Sequence, residues 1–188
     1  MAVYISFLRG INVSGSKLIK MELLKQLYSK LNFSHIQTYL QSGNVVFTAN
    51  EMNQAQLSKN ISDSIFFQTG FDVEVFVLTL EQLQEILDQN PFANSSTTEI
   101  ISCYFTLLAA IPSTELVQKL KTFETTDELL DVKTKIVYLN LYKGYGKSKL
   151  NNNFIESKLK VSATTRNLKT MHALAKMAEE IKQKSPES

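Results

Sequence analysis

The sequence predicts an α+β protein built from two ferredoxin-like βαββαβ units, a duplication that carries extra helices. Three observations lead there. Short apolar runs of strand length alternate with segments in which leucine and isoleucine recur at helical spacing. Up to residue 77 that alternation reads βαββαβ. After a turn-rich stretch at residues 91–98 (Pro-Phe-Ala-Asn-Ser-Ser-Thr-Thr) the same order begins again. The expected organisation is a first lobe with a connecting helix over 1–90, a linker over 91–98, and a second lobe with a C-terminal helix over 99–188.

Each element has its own warrant. Val3 to Leu8 is a nearly continuous apolar run that ends at Arg9-Gly10, a buried strand. Met21, Leu24, Leu27, Tyr28 and Leu31 give an amphipathic helix over 20–31. Ile36–Leu40 and Val45–Thr48 are strands joined through Ser42-Gly43-Asn44. Leu57, Ile61 and Ile65 mark a second helix that Gly70 stops in a left-handed cap. Phe71, Val73, Val75 and Val77 alternate with Asp72 and Glu74, which predicts a strand with one wet face. Thr79 and Gln82 form a capping box for a short helix that ends before Asn90-Pro91.

In the second half, Ile100–Ala110 is a strand and Pro112-Ser113-Thr114-Glu115 opens a helix with Leu116, Leu120 and Phe123. Leu129–Val132 and Ile136–Tyr142 form a hairpin over Lys133-Thr134-Lys135. A helix over Leu150–Leu159, a short strand over Val161–Thr164 and a last helix over Leu168–Lys182 complete the pattern.

At 188 residues the chain is expected to bury roughly 70% of its extended surface on folding. No apolar run approaches the roughly 18 residues of a membrane span, and Met1–Ser6 lacks a basic leader, so a cytoplasmic protein without a membrane partner is expected. The single cysteine, Cys103, lies in an apolar run and reads as a small buried hydrophobe. Two histidines, His35 and His172, with no third ligand at metal spacing exclude a metal centre from the expectation. Charge is segregated: residues 1–50 carry 5 basic and 1 acidic side chains, residues 51–131 carry 3 and 13, and residues 132–188 carry 12 and 4. If the two ends of the chain meet, they make one electropositive face.

Three polar clusters could carry chemistry. Arg9 is always charged, and its loop offers Asn12, Ser14, Ser16 and amides freed by Gly10 and Gly15, a cradle for an anion. With it goes the turn Gln41-Ser42-Gly43-Asn44, whose residue types serve turn-making equally well. The second cluster, Tyr142-Lys143-Gly144-Tyr145-Gly146-Lys147-Ser148-Lys149, combines glycines, lysines and an aromatic face, and also reads as a solvated loop. The third, Thr164-Thr165-Arg166-Asn167, stands where the last helix begins, so anion binding and helix capping are both open. No nucleophile-and-base pair and no cofactor sequence can be named.

Taken together, Arg-Gly-Ile-Asn-Val at 9–13, Gln-Ser-Gly-Asn-Val-Val-Phe at 41–47, Asn-Pro-Phe at 90–92 and Thr-Arg-Asn at 165–167 resemble the bacterial family called domain of unknown function 1697. The resemblance implies a two-lobed α+β fold of repeated ferredoxin-like units and no established activity. It places family positions on Arg9, Gly10, Asn12, Gln41, Ser42, Gly43, Asn44, Tyr142, Gly144, Ser148, Lys149, Thr165, Arg166 and Asn167. Ser14 and Leu168 depart from it, standing where the family more often has glycine and tryptophan.

The leading expectation is a binder of a small anionic or phosphorylated ligand, nucleotides included, held between the lobes. Its proposed contacts are Arg9, Gly10, Asn12, Gln41, Ser42, Asn44, Tyr145, Lys149, Thr165, Arg166 and Asn167. The first alternative is single-stranded nucleic acid on a basic face, with Tyr39 and Phe47 as exposed sheet aromatics. The second is an enzyme using Lys149 and Arg166 to stabilise an oxyanion, with Ser148 or Tyr145 in proton transfer. A basic surface for an acidic protein partner is a third. The sequence specifies no catalytic residue, cofactor or oligomeric state.

Overall fold

The computed structural model describes residues 1–13, 15–93 and 102–184. Ser14, most of the expected linker (94–98) and the start of the strand expected from Ile100 lie outside the described residues. The chain divides into two compact units, Met1–Glu85 with His172–Ser188, and Ile86–Met171. Among the described residues it forms two four-stranded antiparallel sheets and six helices.

In the first unit the N-terminal apolar run becomes β1 (Ala2–Leu8), followed by α1 (Met21–Lys30), β2 (Ser34–Tyr39), β3 (Asn44–Ala49), α2 (Gln54–Thr69) and β4 (Val75–Thr79). The strands lie in the order β2-β3-β1-β4. Helical spacing puts Leu24, Leu27 and Tyr28 of α1, and Leu57, Ile61 and Ile65 of α2, on buried faces. They pack in one core with Tyr4, Val45, Phe47, Val75 and Val77. Gly70 ends α2 with φ 73° and donates its N–H to the Phe66 carbonyl at 2.7 Å, the left-handed cap that the sequence predicts.

The wet-faced strand expected over Phe71–Val77 is corrected. β4 starts at Val75, and Val75, Phe76 and Val77 are all buried. The polar residues Asp72 and Glu74 precede the ladder, so the alternation they suggested belongs to the approach to the strand. Thr79 and Gln82 do form the capping box: the Thr79 N–H donates to Gln82 Oε1 at 3.1 Å, and the Gln82 N–H to Thr79 Oγ1 at 3.3 Å. Helix α3 (Leu80–Asp88) follows without an intervening residue.

The second unit contains β5 (Cys103–Leu108), α4 (Thr114–Lys121), β6 (Glu128–Lys133), β7 (Ile136–Leu141), α5 (Asn152–Leu159) and β8 (Ala163–Asn167), with strand order β6-β7-β5-β8. Ser113 caps α4 by accepting from the Leu116 N–H, and Asn151 caps α5 by accepting from the Phe154 N–H. Leu120, Ile155 and Leu159 share a core with Leu130, Val137, Leu139, Leu141 and Ala163. The short strand expected over 161–164 lies further along, because β8 pairs with β5 through Thr165, Arg166 and Asn167. α6 (Leu168–Lys184) follows at once, and its C-terminal half is tied to α3 by Lys182–Glu81 at 2.7 Å and Gln84–Glu179 at 2.8 Å.

The registers of the two sheets correspond. Leu8 pairs with Val75 as Leu108 pairs with Ala163. The Leu8 N–H donates to the Gly43 carbonyl and the Leu108 N–H to the Lys135 carbonyl, both at 2.8 Å. Tyr4, Ser6 and Leu8 therefore take the places of Tyr104, Thr106 and Leu108. Two differences stand out. The first strand-to-helix connection occupies residues 9–20 in one unit and 109–113 in the other. A bulge interrupts β2 between Ser34 and Gln37, whereas β6 pairs regularly with β7.

Candidate functional site

The connection after β1 is held by one side chain. Asn12 adopts φ 55°, a left-handed conformation that asparagine tolerates better than most residues. Its Nδ2 donates to the Ile19 carbonyl at 3.0 Å and to the Gln41 carbonyl at 2.8 Å, and its Oδ1 accepts from the Ile19 N–H at 2.8 Å. One carboxamide thus closes the loop on itself and fastens it to the β2–β3 turn. Ile11 and Ile19 anchor the loop from below, both buried in the first core. Lys17 adds a hydrogen bond from its Nζ to the Asp72 carbonyl.

The turn is shaped to receive this loop. Gly43 has φ 70°, and a Cβ there would lie 2.7 Å from Leu8 Cβ and 2.9 Å from Ile11 Cδ1. Asn44 is buried, and its Nδ2 donates to the Tyr39 carbonyl at 3.1 Å and to Ser42 Oγ at 2.9 Å. Both hydrogens of the Asn12 amide are therefore used in holding the backbone, and those of the Asn44 amide hold the Tyr39 carbonyl and the Ser42 hydroxyl. Around this frame Arg9 is half-buried, while Gly10, Gln41 and Ser42 are exposed. Of the expected contacts in the first half, Gly10, Gln41 and Ser42 are exposed and Arg9 half-buried beside a scaffold made by Asn12 and Asn44.

The later clusters form a second arrangement. Tyr145 lies in a short 3-10 turn, Tyr145–Lys147, after Gly144 with φ 80°. Its ring packs on that of Tyr104 with centroids 5.2 Å apart, and its hydroxyl accepts from the Asn152 N–H at 2.8 Å. Thr165 Oγ1 donates to Asn152 Oδ1 at 3.1 Å and lies 2.9 Å from Thr106 Oγ1. Asn152, Tyr104 and Thr106 were not singled out from the sequence; the run Asn151-Asn152-Asn153 at a helix start was the available signal.

Arg166 lies on β8, opposite Phe105, and its Nη1 donates to Thr164 Oγ1 and to the Thr165 carbonyl, both at 2.8 Å. Burial pushes its guanidinium down to about 10, while the nearby Tyr145 works in the opposite direction. Thr165 and Arg166 are strand residues, which corrects the expected helix start at these positions. Asn167 is the cap instead, accepting from the Thr170 N–H at 2.8 Å. Lys149 is exposed, and its N–H donates to Glu128 Oε1 at 3.3 Å. Ser148 Oγ accepts from the Leu150 N–H at 2.9 Å.

Phe47 is 0% exposed and stacked on Phe33 with centroids 4.7 Å apart, which overturns its expected place on an open sheet face. It points instead into the core beneath α1 and α2. Tyr39 is half-buried. Cys103 is buried, as its apolar surroundings predict. Among the described residues no group of three or more His, Cys, Asp or Glu is placed to hold a metal ion, and no helix is long and apolar enough to cross a membrane.

No curated protein matches the chain. Among solved structures, the conserved bacterial protein SP0830 from Streptococcus pneumoniae is similar, with a TM-score of 0.69 and 22% sequence identity over 94% of this chain and 98% of that one. At that identity the likeness speaks for the fold alone. A family model described as protein of unknown function (DUF1697) matches residues 1–138. That span takes in Arg9–Val13, Gln41–Phe47 and Asn90-Pro91-Phe92, and stops before Tyr145 and Arg166. With nearly three quarters of its length matched, the chain belongs to the DUF1697 family.

Proposed function

We propose that the protein binds a small anionic ligand, a phosphorylated metabolite or nucleotide, at the end of the first sheet where the Arg9 loop meets the Gln41 turn. The observation that carries this reading is the Asn12 carboxamide, which fixes one exposed polar segment against the other. Arg9 supplies the charge. Gly10 (φ 67°) and Asn12 (φ 55°) both lie in the left-handed region; the Arg9 and Asn12 N–H groups are held by the Glu74 and Lys17 carbonyls, so the loop's backbone contribution to an anion would come from Gly10 and Ile11 between them. A Cβ at Gly10 would meet nothing within 4 Å, so the backbone at Gly10 is open on that side. Gln41 and Ser42 complete the polar rim.

A comparison of the units supports the same reading. Both are read as ferredoxin-like, and the second makes its strand-to-helix connection with residues 109–113. At the corresponding positions it has Ala109 and Ala110 in place of Arg9 and Gly10. A connection of this length is therefore not needed to join strand and helix, and the longer loop of the first unit has room for a role beyond the packing of Ile11 and Ile19.

The test is a thermal-shift and calorimetric screen against inorganic phosphate, sugar phosphates, nucleotides and short oligonucleotides at two salt concentrations. A ligand at 100 times its dissociation constant adds about 2.7 kcal/mol of stability, readily seen as a higher midpoint. A small phosphorylated compound is expected to raise the midpoint, with the effect lost in Arg9→Ala and the ligand-free midpoint retained. A response unchanged by Arg9→Ala would sink the proposal. Shifts confined to oligonucleotides and fading steeply with salt would transfer the case to single-stranded nucleic acid.

A further inference from the structure

We infer that Asn140, on the central strand β7 of the second sheet, anchors a buried water molecule that completes the hydrogen bonding of its carboxamide. Asn140 is 1% exposed, and among the described residues neither its Nδ2 nor its Oδ1 has a hydrogen-bond partner. A carboxamide makes hydrogen bonds through both ends in water, and a buried one left unpaired is costly enough that native proteins keep few of them. Its neighbours in β7 are Leu139 and Leu141, and an aliphatic residue would have continued that pattern at no such cost.

The first unit shows what normally meets a polar group at this position. Thr48 on β3 is opposite Val3, as Asn140 is opposite Cys103. Thr48 is likewise buried, and its Oγ1 lies 3.1 Å from His35 Nδ1. His35 reaches it because the bulge between Ser34 and Gln37 adds a residue to β2 and sets His35 at φ 50°. The second unit has no such bulge. β6 pairs with β7 in unbroken register from Glu128 to Lys133, and Leu129 is the residue opposite Asn140. The partner that a bulge delivers in the first sheet is not delivered by β6 in the second.

The surroundings define what that partner is. Directly across from Asn140 are Cys103 and Leu129, and Tyr138 follows two residues away on the same face. The Tyr138 hydroxyl is already engaged, donating to the Ile86 carbonyl at 3.2 Å. None of these groups carries a charge, so a charged ligand would be desolvated without compensation. Cys103 and Tyr138 are each 1% exposed, so whatever pairs with the carboxamide is shielded from bulk solvent. Water is small, uncharged, and both donor and acceptor: it gives a hydrogen to Oδ1 and receives one from Nδ2, as buried waters commonly do for otherwise unpaired groups. This site is independent of the anion reading at the Arg9 loop.

A high-resolution crystal structure of the full chain, with side-chain amide NMR of Asn140, tests the inference. The expected result is an ordered oxygen about 3 Å from both carboxamide ends, and magnetisation transfer from water to the Nδ2 hydrogens. In Asn140→Leu that density is expected to vanish while β7 keeps its register. Wild-type density in which the carboxamide bonds a protein group, or no density beside it, overturns the inference even if the leucine variant does not fold. Density too large for water, with a matching mass excess in native mass spectrometry, overturns it in favour of a small uncharged metabolite.

Discussion

Asn12 and Gln41 are joined side chain to main chain: the Asn12 carboxamide donates to the Gln41 carbonyl at 2.8 Å across a sequence separation of 29 residues. The same carboxamide makes two bonds to Ile19, so it is a staple for both polar segments. Asn12→Ala removes all three bonds and places alanine at a positive φ. A loss of roughly 2–3 kcal/mol in urea unfolding is expected. A loss below about 0.5 kcal/mol, the range of an ordinary surface substitution, would show that the loop holds without it.

Gly10 and Gly43 make a matched pair for separating strain from collision. Their φ values are 67° and 70°, but a Cβ at Gly10 meets open space while one at Gly43 strikes Leu8 and Ile11. Gly10→Ala is expected to cost about 1 kcal/mol from backbone conformation. Gly43→Ala should cost that plus about 1–3 kcal/mol of overpacking. Equal midpoints for the two variants in parallel thermal melts would refute the close approach.

Thr79 and Gln82 exchange two hydrogen bonds at the start of α3. Thr79→Ala is expected to lower stability by about 1 kcal/mol and Gln82→Ala by less, because the threonine satisfies a helix donor and the glutamine a strand-end donor. The double variant should lose less than the sum, and a double-mutant cycle reads that coupling. Strict additivity would mean the two bonds do not act as one box.

Arg166 sets a pH dependence of known sign. Its folded pKa lies near 10, below the ordinary arginine range, because burial disfavours the charge. Below about pH 10 both folded and unfolded chains hold the proton and the burial cost is fully present. Above it the folded chain sheds the proton first, so the cost is progressively relieved. Wild type should therefore gain stability relative to Arg166→Met between about pH 9 and pH 11. A constant difference over that interval would contradict the depressed pKa.

Much of this was legible in the residues themselves. Gly70 as a left-handed cap, the Thr79–Gln82 box and the burial of Cys103 are all local consequences of residue type. Errors arose where tertiary packing outweighed local pattern. Alternation across Phe71–Val77 placed a strand too early, because Asp72 and Glu74 lie in the approach and not in the ladder. Thr165 and Arg166 have the composition of a helix start, yet the register with Phe105 and Thr106 extends β8 through them. Phe47 has the residue type of an aromatic platform and turns inward, since Phe33 and Tyr28 wait on that side. The polar side chains of the site were found by type, but their roles were not. Only the bonds of Asn12 and Asn44 separate the groups that hold the backbone from those that stand beside them.

The abutment of strand and helix at Thr79–Leu80 and Asn167–Leu168 leaves no slack at either junction. At 3.6 residues per turn, one residue inserted after Asn167 would rotate everything beyond it by about 100°. Leu174, Ala178 and Ile181, all buried, would swing out of phase with what they now cover, and the ties from Glu179 and Lys182 to α3 would break with them. The length of this junction is thus a coded quantity. A family member with one residue more or fewer there would have to rephase the apolar stripe of its last helix to keep the same fold.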